Sequence, residues 1–252
     1  NRPGAQAYAQ GGAFVANGGN VTGMLFNPAG IAQLEGKLAF ACEAGWNSRT
    51  EYLPFFNFTF TAQMHPLQFA GLAMVPKPKW AVGAYYFRPT DYEIDFGGIS
   101  VTTPNDPAGN GAVIESVFER RQFGLGINLA RSINKNWHLG LGMEWRRAGI
   151  RDEISNVLAH GEANAMRFAL GSIVQVRDWR LGVSLRSQYK ATGAAVYTTD
   201  SALAAPNFDF TAREPASVRL GFASPEFFKR LRVSGDVATI GGQRRVAAGA
   251  VG

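Results

Sequence analysis

Four stretches of this chain repeat one design, and that repeat limits the available folds more than any other feature of the sequence. Residues 68–87 read QFAGLAMVPKPKWAVGAYYF, residues 123–145 FGLGINLARSINKNWHLGLGMEW, residues 168–189 FALGSIVQVRDWRLGVSLRSQY and residues 218–238 VRLGFASPEFFKRLRVSGDVA. Each is a strand-like run with a Leu-Gly or Gly-Leu step, a short polar turn, then a second strand. In three of them a Trp follows the turn directly: Trp80, Trp137 and Trp179. Inside the runs the residue character alternates. Leu139, Leu141, Met143 and Trp145 interleave with Gly140, Gly142, Glu144 and Arg146, and Leu181, Val183 and Leu185 with Arg180, Gly182, Ser184 and Arg186. Phe56, Phe58, Phe60 and Met64 interleave in the same way with Asn57, Thr59, Thr61 and Gln63. A period of two gives every strand one greasy face and one polar or tiny face.

Composition points the same way. The 252 residues include 30 Gly without a three-residue period, and 12% are aromatic, which suits many short strands and an all-β chain. The lone Cys42 excludes an internal disulfide and a Cys-based metal cluster, and reads as a small apolar strand residue. A net charge of +6 would suit nucleic acid, acidic headgroups or anionic ligands. The basic clusters Arg146-Arg147, Lys229-Arg230-Arg232 and Arg244-Arg245 lie in strand-like text rather than in a nucleic-acid module, so no nucleic-acid partner is expected.

Alternation alone fits a soluble sandwich as well as a membrane barrel. No run reaches the ~18 apolar residues of a membrane-crossing helix. The uncharged stretch 52–76 carries Pro54, Pro66, Asn57, Thr59, Thr61 and Gln63. A membrane location therefore requires a closed barrel, in which every backbone group is paired. The spacing of the connections favours that solution. Turns at 76–79, 132–136, 177–178 and 225–229 are short, whereas 88–116, 148–162 and 190–214 are long, the alternation of an up-and-down outer-membrane barrel. Trp80, Trp137 and Trp179 then form an aromatic girdle beside the short turns, with Trp145, Tyr189 and Phe87 near the opposite rim. The reading gives about ten strands, at 37–46, 55–75 with an interruption at Pro66, 80–88, 114–131, 137–147, 164–176, 179–189, 216–223, 230–239 and 244–251. Pro66 and the Gly steps are natural kink or bulge sites.

Residues 1–36 are Gly- and Ala-rich, show no strand alternation, and contain Gly23-Met24-Leu25-Phe26-Asn27-Pro28-Ala29-Gly30-Ile31-Ala32. Pro28 fixes its own φ and keeps Asn27 out of the helical region, while the Asn27 side chain can bond backbone nearby. An ordinary helix start, with Asn27 as N-cap and Pro28 at the first helical position, is compatible with the same residues.

An Asn-Pro-Ala-Gly element just ahead of a first strand and a string of Trp/Leu-Gly hairpins resembles the FadL-type outer-membrane transporters of long-chain fatty acids and other hydrophobic compounds. The resemblance runs over essentially the whole chain. It implies an antiparallel up-and-down transmembrane β-barrel, with residues 1–36 as an N-terminal plug or hatch carrying the motif Asn27, Pro28, Ala29 and Gly30, and residues 37–252 as the barrel wall. It also implies passive uptake of long-chain fatty acids or other hydrophobic small molecules across the outer membrane of a Gram-negative type envelope, with outer-membrane lipid and lipopolysaccharide around the wall. Family members look like fourteen-stranded barrels, so a chain with about ten strands is expected to be incomplete at its C-terminus, with closing strands missing. Phe14, Phe26, Tyr86 and Phe87 are the candidate apolar ligand contacts, and inward Arg146 or Arg186 the candidate partners of a carboxylate head group. The competing reading makes those arginines lumen charges balanced by Glu144 or other acids.

An enzyme is not expected, because the sequence holds no G-x-S-x-G, H-E-x-x-H, P-loop or dinucleotide fingerprint. No cofactor or metal is expected either. His65, His138 and His160 lack ligand spacing, and Asp152-Glu153 and Asp91/Glu93/Asp95 read as solvated charges in outer loops, with a calcium site as the lesser alternative. A second functional class is a PorV-like barrel acting as a protein-binding component of a secretion or cell-surface complex, and a third is a soluble β-rich binding module.

Overall fold

The structure, a computed structural model, describes residues 14–45, 47–53, 58–64, 66–100, 113–154, 157–199, 208–225, 232–240 and 243–251. Fourteen strands follow two short 3-10 turns at Thr22–Leu25 and Pro28–Gln33. They are β1 (Leu38–Ala44), β2 (Asn47–Leu53), β3 (Phe58–Met64), β4 (Leu67–Lys77), β5 (Trp80–Ser100), β6 (Val113–Ser132), β7 (Trp137–Ile154), β8 (Val157–Val176), β9 (Trp179–Arg186), β10 (Tyr189–Thr199), β11 (Phe208–Glu214), β12 (Ser217–Ala223), β13 (Arg232–Ile240) and β14 (Gln243–Val251).

All belong to one antiparallel sheet with the path β1-β4-β5-β6-β7-β8-β9-β12-β13-β14. The other four strands are continuations rather than extra neighbours. β5 pairs with both β4 and β3, β8 pairs with both β9 and β10, and β10 pairs with β11 just as β9 pairs with β12. The short strands β1/β2, β3/β4, β9/β10 and β11/β12 therefore act as four long interrupted staves, which with the six uninterrupted strands makes ten staves. The expected strand count holds at that level, and the expected break at Pro66 falls between β3 and β4. Among the described residues no pairing joins β1 to β14, so the sheet is not closed.

The expected long loops are corrected. β5 continues to Ser100 and β6 starts at Val113, β7 and β8 run to Ile154 and from Val157, and β10 and β11 fill most of 190–214. The long connections are the far ends of long hairpins. On β8 the far end hides from pattern reading because its alternation is small against polar: Ala159, Gly161 and Ala163 are buried, while His160, Glu162 and Asn164 are exposed. Without large apolar residues a period of two has little contrast.

Burial decides which face is which. Leu125, Ile127, Leu139, Leu141, Phe168, Leu170, Leu181 and Leu220 are exposed, whereas Glu144, Arg146, Arg167, Ser184, Arg186 and Asp236 are buried. A soluble sandwich buries its large apolar face, and this sheet does the reverse. Such a continuous outward apolar band is stable against lipid and not against water. On β7 the band runs from Trp137 to Trp145, which at a strand rise of ~3.3 Å and a tilt of ~40° is roughly 20 Å of height. No described helix is long and apolar enough to cross a membrane. Trp80, Trp137 and Trp179 stand at the first residues of β5, β7 and β9, beside the short turns. Arg131 lies over the Trp80 ring at 5.0 Å, and the Trp137 indole donates to Ser172 at 3.0 Å. Phe87 and Tyr189 do not sit at an outer rim as expected. They are inward and buried, because their strand parity puts them on the face opposite Tyr86 and Lys190. The Phe56 to Met64 alternation and His65 lie outside the described side chains.

Candidate functional site in the sheet interior

The inner face of the sheet is occupied by the chain's own N-terminal segment. Phe14, Met24 and Phe26 pack with Phe69, Tyr85 and Phe87 in one buried cluster. Polar contacts fix the segment elsewhere. Asn27 is fully buried, and its amide nitrogen donates to the carbonyls of Val15 at 2.8 Å, Ser172 at 3.1 Å and Val183 at 3.2 Å. Ser172 and Val183 are cross-strand partners on β8 and β9, so a single side chain ties the segment to two strands of the wall. The Asn27 Oδ1 accepts from the Ala29 amide at 3.0 Å and caps the 3-10 turn that starts at Pro28. The N-cap reading and the rigid-turn reading thus coexist in one residue.

Glycines make this approach sterically feasible. A Cβ on Gly140 would lie 2.7 Å from the Ala29 Cα, one on Gly171 2.8 Å from the Pro28 Cδ, and one on Gly182 2.8 Å from the Ala16 Cα. Gly140 and Gly171 are paired on β7 and β8, and Gly182 and Gly221 on β9 and β12. The Leu-Gly steps therefore carry outward-facing leucines and, one residue on, a bare floor where backbone rests on backbone. Next to that floor the Asp236 Oδ2 on β13 accepts the Phe14 amide at 2.7 Å and the Val15 amide at 3.0 Å.

Above the segment lies a chain of charges, buried except for the half-buried Glu214. Glu144 bonds the Tyr85 hydroxyl at 2.9 Å, Arg146 at 2.7 Å and Arg186 at 3.4 Å. Arg146 also reaches Glu214 at 2.6 Å, and Arg167 pairs with the other oxygen of Glu214. The Arg146 guanidinium stacks between the rings of Phe87 at 4.8 Å and Tyr189 at 5.4 Å. Arg186 donates in addition to the Leu25 carbonyl, which connects the charges to the N-terminal segment. Three arginines face two glutamates, so the network carries one surplus positive charge. Buried charges need such mutual pairing to be tolerated.

The sequence-selected residues converge in part. Phe14, Phe26, Phe87, Arg146 and Arg186 are all buried in the interior. Tyr86 is on the outward face, 6.3 Å from Phe123. Glu144 takes the counter-charge place weighed for it. Glu214, Arg167 and Asp236 were not singled out by pattern. Their signal was a charge at the inward parity of an alternating run, visible only once the parity of each strand is known. His138 is inward and 2.8 Å from the Ser132 hydroxyl, while His160 is exposed. Glu153 pairs with Arg151 at 2.9 Å, Asp91 and Asp95 lie outside the described side chains, and no described group of acids, His and Cys is arranged to hold a metal.

Two features bear on passage. Below the segment, on the short-turn side, a polar cavity of about 1060 Å³ is lined by Gln33, Glu35, Lys135, His138, Gln175 and Arg180. In the wall, the β5 pairing among the described residues passes from β4, up to Phe87, to β3, from Glu93. The apolar grooves of about 540 and 830 Å³ lie on the outward face among residues such as Leu129, Leu141 and Leu170, not in the interior.

Solved structures share this architecture. A ΔS2S3 mutant of the monoaromatic hydrocarbon channel TodX superposes with a TM-score of 0.69 at 16% identity, covering 99% of this chain and 75% of its own. The Ralstonia pickettii toluene transporter TbuX gives 0.67 at 14% identity, covering 95% of this chain and 72% of its own. The Pseudomonas putida toluene transporter TodX gives 0.62 at 13% identity, with 99% and 76% covered.

The chain has the hydrocarbon-channel fold.

That fold is the one implied by the FadL-type resemblance of the sequence, and the solved structures that share it are described as channels or transporters rather than enzymes. Within the hydrocarbon-channel fold this chain spans about three-quarters of the length of those structures. No protein-family model and no curated protein matches the chain.

Proposed function

We propose that this chain is an outer-membrane channel for passive movement of hydrophobic small molecules, with residues 1–36 as its plug and residues 37–252 as its wall. The observation that carries the reading is the inverted burial: large apolar side chains outside, charges inside, and an Asn27-anchored segment filling the interior. A hydrophobic ligand arriving from the long-hairpin side meets Phe14, Phe26 and Phe87 beneath the Arg146–Glu144 network. The place on β5 where its partner changes from β4 to β3 offers a sideways exit to the membrane, with Tyr86 on the outward face beside it. The substrate class in this reading includes long-chain fatty acids, whose carboxylate matches the surplus charge at Arg146 and Arg186.

The test is uptake of labelled oleate and labelled toluene by cells that lack their own channels for them. Expression of the chain raises both rates, and Arg146→Gln and Arg186→Gln lower oleate uptake selectively. Unchanged oleate uptake in both variants ends the head-group assignment and leaves a channel for neutral hydrocarbons. The barrel itself is checked by a detergent requirement and a mobility shift on unheated gels.

A further inference from the structure

Three outward cations near the long-hairpin end are paired with acids. Arg121 pairs with Glu119, Arg147 with Glu162, and Arg151 with Glu153. Lys190 and Arg213 differ. They are direct cross-strand partners on β10 and β11, both exposed, and neither is hydrogen-bonded or ion-paired to an acid among the described residues. Side chains opposed in this way stand ~5 Å apart at Cβ, and like charges so placed destabilise a sheet unless an anion lies between them. Their position in the wall is specific. Below them the outward face reads Trp179, Leu181, Val183 and Leu185 on β9 and Phe222, Leu220 and Val218 on β12, all exposed. Above them come the exposed Thr192 and Thr211, 3.3 Å apart. On the β9/β10 and β11/β12 staves the two cations are thus the first charged outward residues past the apolar band, on the end away from the short turns, which in this architecture faces the outer leaflet.

We propose that Lys190 and Arg213 form a binding site for a phosphate of the outer-leaflet glycolipid, lipopolysaccharide, with acyl chains against Leu185 and Val218 below and the phosphate held between ammonium and guanidinium. A guanidinium gives a forked contact to phosphate and the ammonium a point charge, so together they neutralise one phosphate. The proposal rests on the outer-membrane reading above and adds a specific lipid contact to it. Of the anions available at that depth, a phosphate fixed to acyl chains fits both the charge and the apolar band beneath.

The experiment is native mass spectrometry of the whole chain in detergent, with bisphosphorylated lipid A as the probe and phosphate-free lipid A and phosphatidylglycerol as comparisons. The wild type is expected to retain one lipid A molecule through detergent stripping, at least tenfold more than phosphate-free lipid A. The double variant Lys190→Gln/Arg213→Gln loses that adduct, while Arg151→Gln keeps it, with an unchanged unheated-gel shift in both. Equal retention of phosphatidylglycerol moves the assignment from lipopolysaccharide to phospholipid and overturns the glycolipid claim. Lipid A binding by the double variant at the wild-type level, or equal binding of phosphate-free lipid A, overturns the site itself. In either case a protein still held in the micelle keeps the channel reading intact, whereas a protein soluble without detergent removes both.

Discussion

The carboxylate of Asp236 and the backbone amide of Phe14, separated by 222 residues in the chain, meet at 2.7 Å, and the same oxygen takes the Val15 amide at 3.0 Å. One wall residue thereby holds the start of the described N-terminal segment. Hydrogen bonds to a buried charge contribute about 1.5–3 kcal/mol each. Asp236→Ala is expected to free this end of the segment and raise protease cleavage near residue 15 severalfold, with an unchanged gel shift for the wall. Asp236→Asn, which keeps one acceptor oxygen, falls between. Equal cleavage of wild type and Asp236→Ala would show that the contact does not hold the segment.

Asn27 offers its amide hydrogens to three carbonyls, and this gives its substitutions a definite order. Asn27→Ala removes donors and leaves carbonyls unpaired. Asn27→Asp places a charge among three acceptors and is predicted to be the worse of the two. Amide hydrogen exchange over residues 14–33 measures this, and the order wild type, Ala, Asp in rising exchange is the expected result.

The glycine floor predicts a position-specific response. Gly140→Ala and Gly171→Ala drive a methyl into Pro28 and Ala29 or Asn27 and are expected to displace the segment and increase permeability to bulky antibiotics. Gly149→Ala, also on β7, meets nothing closer than 3.9 Å and serves as the silent comparison. A permeability change of equal size at Gly149 would point to strand propensity rather than docking.

Glu144 balances two arginines in the buried network. Breaking one partner of a buried pair costs about 3–5 kcal/mol, more than replacing both partners by apolar groups of similar volume. Glu144→Leu alone should therefore lower the urea midpoint of unfolding more than Glu144→Leu combined with Arg146→Leu. Midpoints that fall additively would mean the network is not coupled.

Cys42 is exposed on β1 in the same parity as Phe40, which faces outward. A nitroxide attached to this single thiol is expected to be relaxed by oxygen, which concentrates in lipid, and shielded from a water-soluble nickel complex. The opposite accessibility would place this face of the sheet in water.

Much of the wall was legible beforehand for a simple reason: where large side chains alternate with small or charged ones, a period of two names the strand and both of its faces. Leu139 to Trp145 is such a run, and its parity correctly put Glu144 and Arg146 together. The upper parts of β8 and β10 were missed because an Ala or Gly lumen face against a polar outer face carries almost no hydrophobic contrast. Interruptions such as that at Ser187 and Gln188, between β9 and β10, also make one stave look like two unrelated pieces. Of the interior site, Asn27 and Pro28 announced a rigid turn, but nothing local to Glu214, Arg167 or Asp236 marked them as neighbours of anything.

Local chemistry determined that this chain makes antiparallel strands with tight turns, that each strand has two unlike faces, and that a Pro-fixed turn precedes them, since these follow from the φ preferences and side-chain sizes of adjacent residues. The tertiary structure alone decided that the greasy face looks out and that the first residues lie on glycines of four different strands. It also decided that Asp236 meets Phe14 and that Lys190 stands opposite Arg213. Those are questions of sheet register and curvature, which depend on pairings between residues far apart in the chain and leave no trace in any short window of it.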